Sequence, residues 1–154
     1  MALHPTSQRV QDRLRELGLQ AEVRELADST RTAQEAAAAV GVDVGQIVKS
    51  LVFVDRDRPL LCLCAGDRRV NVAKLGQGVR QARGDEVRDA TGFAIGGVPP
   101  VGHVRPLRTL VDESLLRFPE VWCAAGTPRS VFRVATEALI AALPDAEVRN
   151  ITQA

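Results

Sequence analysis

Lysine occurs only at positions 49 and 74, although the chain carries 20 basic residues, and histidine only at positions 4 and 103. An ammonium is a compact, titratable point charge, whereas a guanidinium is a broad fork that stays charged. Lys49 lies in Ile47-Val48-Lys49-Ser50-Leu51-Val52-Phe53-Val54, where alternation puts it on the face of Ile47, Leu51 and Phe53. Such a lysine either meets an anion or a cleft, or snorkels past its apolar neighbours to water. Strand position leaves both open.

A second group is the loop Gly96-Gly97-Val98-Pro99-Pro100-Val101-Gly102-His103. Its glycines permit close backbone approach to a ligand, and two consecutive prolines stiffen it. Exposed amides in such a loop can hold an anion or a carbonyl oxygen, although a plain structural turn has the same composition. His103 can relay a proton near neutral pH, or be structural. Cys62 and Cys64 share one face of a strand and read as small buried apolar residues. There is no Cys-x-x-Cys, phosphate-binding glycine motif or nucleophile elbow, and two distant histidines make no zinc set. Neither metal nor cofactor is implied.

The elements that must position these residues alternate along the chain. Val10, Leu14 and Leu17 mark a helix from Thr6 to Leu17, and Ala21 to Leu26 alternates as a short strand. Thr32-Ala33-Gln34-Glu35 is a capping box that opens an alanine-rich helix closed by Gly41. Ile47–Val54 and Leu60–Ala65 form a hairpin about Asp55-Arg56-Asp57-Arg58-Pro59. Asn71 caps a short helix through Leu75, placing Lys74 on an exposed helix, and Asp85 caps another that ends at Gly92. Strands follow at Thr109–Asp112, Val121–Ala125 and Ser130–Val134, then a helix from Ala135 to Leu143. The pattern predicts one α+β domain over residues 1–154. A mixed, mostly antiparallel, barrel-like sheet is flanked by helices, and residues 1–5 and 145–154 are peripheral tails.

Composition bounds the class. The chain has 154 residues, 45% hydrophobic and 25% charged, with a net charge of +1. That profile fits an ordinary globular domain and argues against a protein that coats duplex DNA through a large positive field. Aromatic residues make up 3%, too few for extensive base stacking. No signal peptide or membrane segment is evident, and three cysteines form no disulfide framework, so a cytoplasmic location is expected.

Several segments occur together in an order that resembles the YbaK/ProX family of free-standing tRNA-editing domains, related to the editing insertion of bacterial prolyl-tRNA synthetase. They are Thr32–Gly41, Gln46–Phe53, Ala65–Asn71, Thr91–His103, and Val111–Leu116 followed by Ala124–Thr127. The resemblance implies hydrolysis of the ester that joins a wrong amino acid to a tRNA 3′ end. The tRNA would be that for proline, carrying Ala, Cys, Ser, Thr or 2-aminobutyrate. It makes Lys49 the functional lysine and His103 a second catalytic candidate. It assigns substrate binding to Ser50, Gly96, Gly97, Val98, Pro99, Pro100, Gly102, Gly126 and Thr127. Phe132 and Arg133 stand where some members carry a polar or acidic residue, and the chain lacks the tyrosine that others use. Arg68, Arg69, Arg105 and Arg108 are candidates to grip the RNA end, with prolyl-tRNA synthetase or an elongation factor as a possible partner. The rival expectation is a non-catalytic module that binds tRNA ends or a synthetase. A small-ester hydrolase fits less well, because no nucleophile–base pair is present.

Overall fold

A computed structural model describes residues 2–153; Met1 and Ala154, the outermost residues of the two expected tails, lie outside it. In chain order the elements are α1 (Pro5–Glu16), β1 (Val23–Glu25), α2 (Ala33–Val40), β2 (Val48–Asp55), β3 (Arg58–Ala65), β4 (Arg69–Val70), β5 (Val79–Gln81), α3 (Gly84–Thr91), β6 (Arg108–Asp112), β7 (Glu120–Ala124), β8 (Ser130–Ala135), α4 (Thr136–Ala142), β9 (Glu147–Arg149) and β10 (Thr152–Gln153).

Local chemistry accounts for the main elements. Pro5 opens α1, and His4 Nδ1 accepts from the Thr6 amide at 3.1 Å; Val10 and Leu14 on its inner face are fully buried. The capping box of α2 is complete. Thr32 Oγ1 accepts from the Glu35 amide, and Glu35 accepts from the Thr32 amide, each at 3.1 Å. Arg56 and Asp57 both take positive φ, +49° and +69°, so the β2–β3 hairpin turns in the primed sense that suits strand twist. Asn71 caps a single 3-10 turn, Val72–Lys74, and Glu86, not Asp85, caps α3 by accepting from the Arg83 amide at 2.9 Å.

Five strands run in the order β5-β2-β3-β6-β9, with β3–β6 and β6–β9 parallel and the remaining pairs antiparallel. A separate antiparallel sheet has the order β1-β8-β7, and β10 pairs with β4. The α+β architecture is the one the sequence pattern predicts. Its sheets stay open instead of closing into a barrel-like whole. Among the described residues, one isolated bridge, Ile47 to Trp122, joins β7 to the start of β2, and β5 covers β2 from Phe53 to Asp55.

The expected C-terminal tail is corrected. Residues 147–149 and 152–153 are strands, and Ile151 between them is fully buried. Ile151 packs with Phe53, Leu60, Cys62, Leu75 and Leu110 in a cluster on one face of the five-stranded sheet. The larger core lies on the other face, around Val10, Leu14, Leu61, Leu63, Phe93 and Phe132. Full burial of one such side chain is worth about 1.5–3 kcal/mol, which outweighs the polar character of the residues around Ile151.

Candidate functional site

The gap between β5 and β7 exposes the outer edge of β2, and a cavity of about 490 Å³ occupies it. The Gly66 amide donates to the Ile47 carbonyl, so in this register odd-numbered residues of β2 turn their main-chain groups toward β3. The N–H and C=O of Ser50 therefore face the cavity, where no strand pairs with them. The other walls are Thr30–Gln34 at the start of α2, Gln81 and Ala82 beyond β5, Ile95, Gly96 and Val98 of the loop, and Trp122–Ala124 of β7.

Lys49 lies at this cavity, half-buried, and its Nζ donates to the Arg68 carbonyl. Among the described residues it has no carboxylate within ion-pair distance. The nearby carboxylate, Asp67, is held by Arg117 through two hydrogen bonds of 2.6 and 3.1 Å. The Arg117 hydrogen bond keeps the Asp67 carboxyl below its ordinary pKa, so that acid stays ionised and occupied. An ammonium held only by a neutral carbonyl is free to attract an anionic or carbonyl oxygen.

Ser50 also lines the cavity. Its buried hydroxyl is the one buried side-chain oxygen or nitrogen among the described residues with no hydrogen-bond partner. Gly96 takes φ of +91°, a left-handed conformation, and a Cβ there would come within 2.5 Å of Arg31 Cγ. The absence of a side chain thus lets Arg31 lie across the cavity rim. Val98 completes the expected residues on the wall.

The remaining expected residues lie elsewhere. Gly97 and Gly126 are joined by a hydrogen bond from the Gly126 amide to the Gly97 carbonyl at 2.9 Å. At φ of +102°, Gly126 leaves no room for a Cβ between Thr6 and Phe93. Thr127 is turned to Ser130, with a 2.8 Å hydrogen bond between the two hydroxyls. These three residues hold the loop against β7 and β8 and do not line the cavity.

Pro99, Pro100, Gly102 and His103 are not on the cavity wall either. Pro100, Gly102 and His103 line a separate cleft with Arg9, Arg13, Arg105 and Arg108. The cause is local. His103 Nε2 lies 2.7 Å from the Pro99 carbonyl, and Gly102 approaches Val10 of α1, so this half of the loop is drawn away from Lys49. Burial pushes the His103 pKa below its ordinary value, against the opposing pull of that carbonyl, so the ring is neutral at pH 7 and donates from Nε2–H. His103 clamps the loop and is not positioned beside Lys49.

Arg31, Gln81, Ile95 and Trp122 were absent from the sequence expectation. The capping box carried a signal for Arg31, because a helix start at Thr32 offers a polar rim next to it. Ile95 is 56% exposed, which no periodicity reveals. Trp122 is covered by the guanidinium groups of Arg24 and Arg133, 5.5 and 5.9 Å from its ring centre. Burial raises the thiols of Cys62 and Cys64 to about 12 and 11, leaving both inert. No group of three or more metal-ligating side chains forms among the described residues. No helix among them is long and apolar enough to cross a membrane.

The chain belongs to the aminoacyl-tRNA editing domain family, whose profile matches residues 27–142. A crystal structure described as a proposed trans-editing enzyme for prolyl tRNA synthetase superposes with a TM-score of 0.91 at 49% identity, covering 99% of this chain and 100% of that one. The uncharacterized protein YwhH of Bacillus subtilis (strain 168) is 33% identical over 123 residues, 77% of this chain and 78% of that protein. The proline–tRNA ligase of Thermotoga neapolitana is 40% identical over 90 residues, 55% of this chain but only 15% of the ligase.

Proposed function

We propose that the protein is an aminoacyl-tRNA deacylase that acts in trans. Its substrate would be tRNA for proline carrying a small non-cognate amino acid. The observation that carries this reading is the cavity at the unpaired edge of β2, with Lys49 beside main-chain groups that face no strand. An aminoacyl ester is already activated, so positioning and charge stabilisation suffice. Water, positioned by the neighbouring ribose hydroxyl of the tRNA, adds to the ester carbonyl. The C–O bond to the ribose then breaks, releasing the amino acid and the free tRNA hydroxyl, which takes up a proton. Lys49 attracts the terminal nucleotide or the carbonyl oxygen, and the Ser50 N–H is a donor for the developing oxyanion.

The net charge of +1 suits a grip limited to the single-stranded end. A synthetase or elongation-factor partner would then supply the remaining affinity, and the site of action would be the cytoplasm. Purified protein is to be mixed with tRNA for proline charged with Ala, Cys, Ser, Thr or 2-aminobutyrate, and ester loss followed over time. The expected result is loss from at least one of these. Binding of the tRNA end without ester loss from any would make the protein a non-catalytic module.

A further inference from the structure

Among the described residues, Arg31 and Lys49 are the two charged side chains on the cavity wall, and no carboxylate lines it. The chain as a whole is nearly balanced at +1, so this sorting of charge is local to the cavity. Two cations set in a largely apolar wall focus their field there and draw anions. Arg31 stands at the rim. It is exposed, and its guanidinium has no hydrogen bond or ion pair among the described residues. Glu35, the one acid of α2, is spent on the Thr32 amide at 3.1 Å. The stem of Arg31 is nonetheless fixed, because it runs along Gly96. A Cβ at Gly96 would lie 2.5 Å from Arg31 Cγ, 3.3 Å from Cδ and 3.2 Å from Nε.

The ester of a small neutral amino acid carries no anion of its own. The anion that arrives with it is the phosphodiester on the 5′ side of the terminal nucleotide. The RNA chain must leave through the mouth, so that phosphate comes to the rim while the ester lies deeper. We propose that Arg31 binds this phosphodiester, which leaves Lys49, half-buried on β2, for the ester carbonyl. The assignment rests on the deacylase reading and states how its substrate is held. Residue type agrees with it: a planar guanidinium pairs with two phosphate oxygens in parallel, which an ammonium cannot do.

The test separates binding from hydrolysis. Two stable analogues are made from 3′-amino-3′-deoxyadenosine carrying alanine through an amide, one with a free 5′-hydroxyl and one with a 5′-methylphosphate diester. Both are titrated by calorimetry into the whole chain in low salt, because an exposed guanidinium is screened. In the wild type the phosphate is expected to tighten binding at least about tenfold, the scale of a charge-assisted hydrogen bond. Arg31→Ala should cut that gain to about twofold or less and leave binding of the 5′-hydroxyl analogue nearly unchanged. The substitution spares Thr32 and Glu35, so the capping box of α2 stays intact. Arg68→Ala, at a residue off the cavity wall, should keep the gain. A smaller gain in the wild type overturns the proposal, and so does a gain that survives Arg31→Ala, since Lys49 or Arg68 would then hold the phosphate. Equal weakening of both analogues by Arg31→Ala also overturns it, because the side chain would then only shape the wall. An Arg31-dependent gain with no ester loss from any charged tRNA would remove the deacylase reading and keep this one. Ester loss together with a gain indifferent to Arg31 would do the reverse.

Discussion

At the scale of single residues, the two lysines separate cleanly. Lys74 Nζ is spent on Asn150 Oδ1 at 3.0 Å and the Thr152 carbonyl at 2.8 Å, and so ties the C-terminal segment to the 3-10 turn. Lys49, a residue of the cavity wall, donates to the Arg68 carbonyl and has no carboxylate within ion-pair distance among the described residues. Lys49→Ala should therefore lower deacylation kcat/KM by at least about 100-fold, the scale of losing one preorganised electrostatic group. Lys74→Ala should keep activity and reduce unfolding free energy by about 1 kcal/mol. Deacylation rates and denaturant titrations on both variants check this, and equal activities would reverse the assignment of the site. The face of β2 that Lys49 takes was legible in the sequence because strand alternation fixes it, whereas its proposed role rested on the family resemblance. The exposure of the strand edge beside it was not legible, since pairing with β5 and β7 is set by segments about 30 and 70 residues downstream.

At the scale of elements, the capping box of α2, the β2–β3 hairpin and the strands β6, β7 and β8 were written in local chemistry. Which side of the glycine- and proline-rich loop would meet the ligand was not. A composition that allows a stiff turn says nothing of which half packs on α1, and His103 decides it through the Pro99 carbonyl. The clamp has a pH signature. The folded His103 pKa lies below the unfolded value of about 6.5, so the unfolded chain binds the extra proton first as pH falls. The contribution of His103 is thus complete above about pH 6.5 and declines below it toward the folded value. Amide hydrogen exchange of residues 97–103 should show protection free energy falling over that acidic window, with His103→Gln removing the step. Protection that rises on acidification would mean that the folded ring gains the proton more readily than the unfolded one, contrary to its burial. Because the clamp lies away from Lys49, His103→Gln should keep deacylase activity well above that of Lys49→Ala.

At the scale of the whole molecule, the chain end closes the fold through one buried carboxylate. Asp112, 1% exposed at the end of β6, accepts from the Ser114 amide at 3.1 Å, the Ile151 amide at 2.8 Å and the Thr152 hydroxyl at 2.9 Å. Sequence reading left residues 145–154 as a tail because strands of two or three residues give no periodicity, and their partners lie far back in the chain, at β4 and β6. Burial raises the Asp112 pKa, but the hydrogen bonds from Ser114, Ile151 and Thr152 outweigh it, and the folded value is lowered. A depressed carboxylate gives stability that is full above its unfolded pKa of about 3.9 and is lost as pH falls through the folded value. Asp112→Asn keeps the shape but loses the charge-assisted bonds, so its stability should be lower than that of the wild type at pH 7. The deficit should shrink below about pH 3.9. Removing residues 150–154 takes away Ile151 together with the donors, and should cost more than Asp112→Asn, about 2–5 kcal/mol for the isoleucine alone. Urea unfolding of the three proteins at pH 7 and pH 3.5 decides the matter. If truncation is neutral, the C-terminal strands are an ornament on a fold complete without them; if the Asp112→Asn deficit is the same at both pH values, the ionised carboxylate is not what holds them.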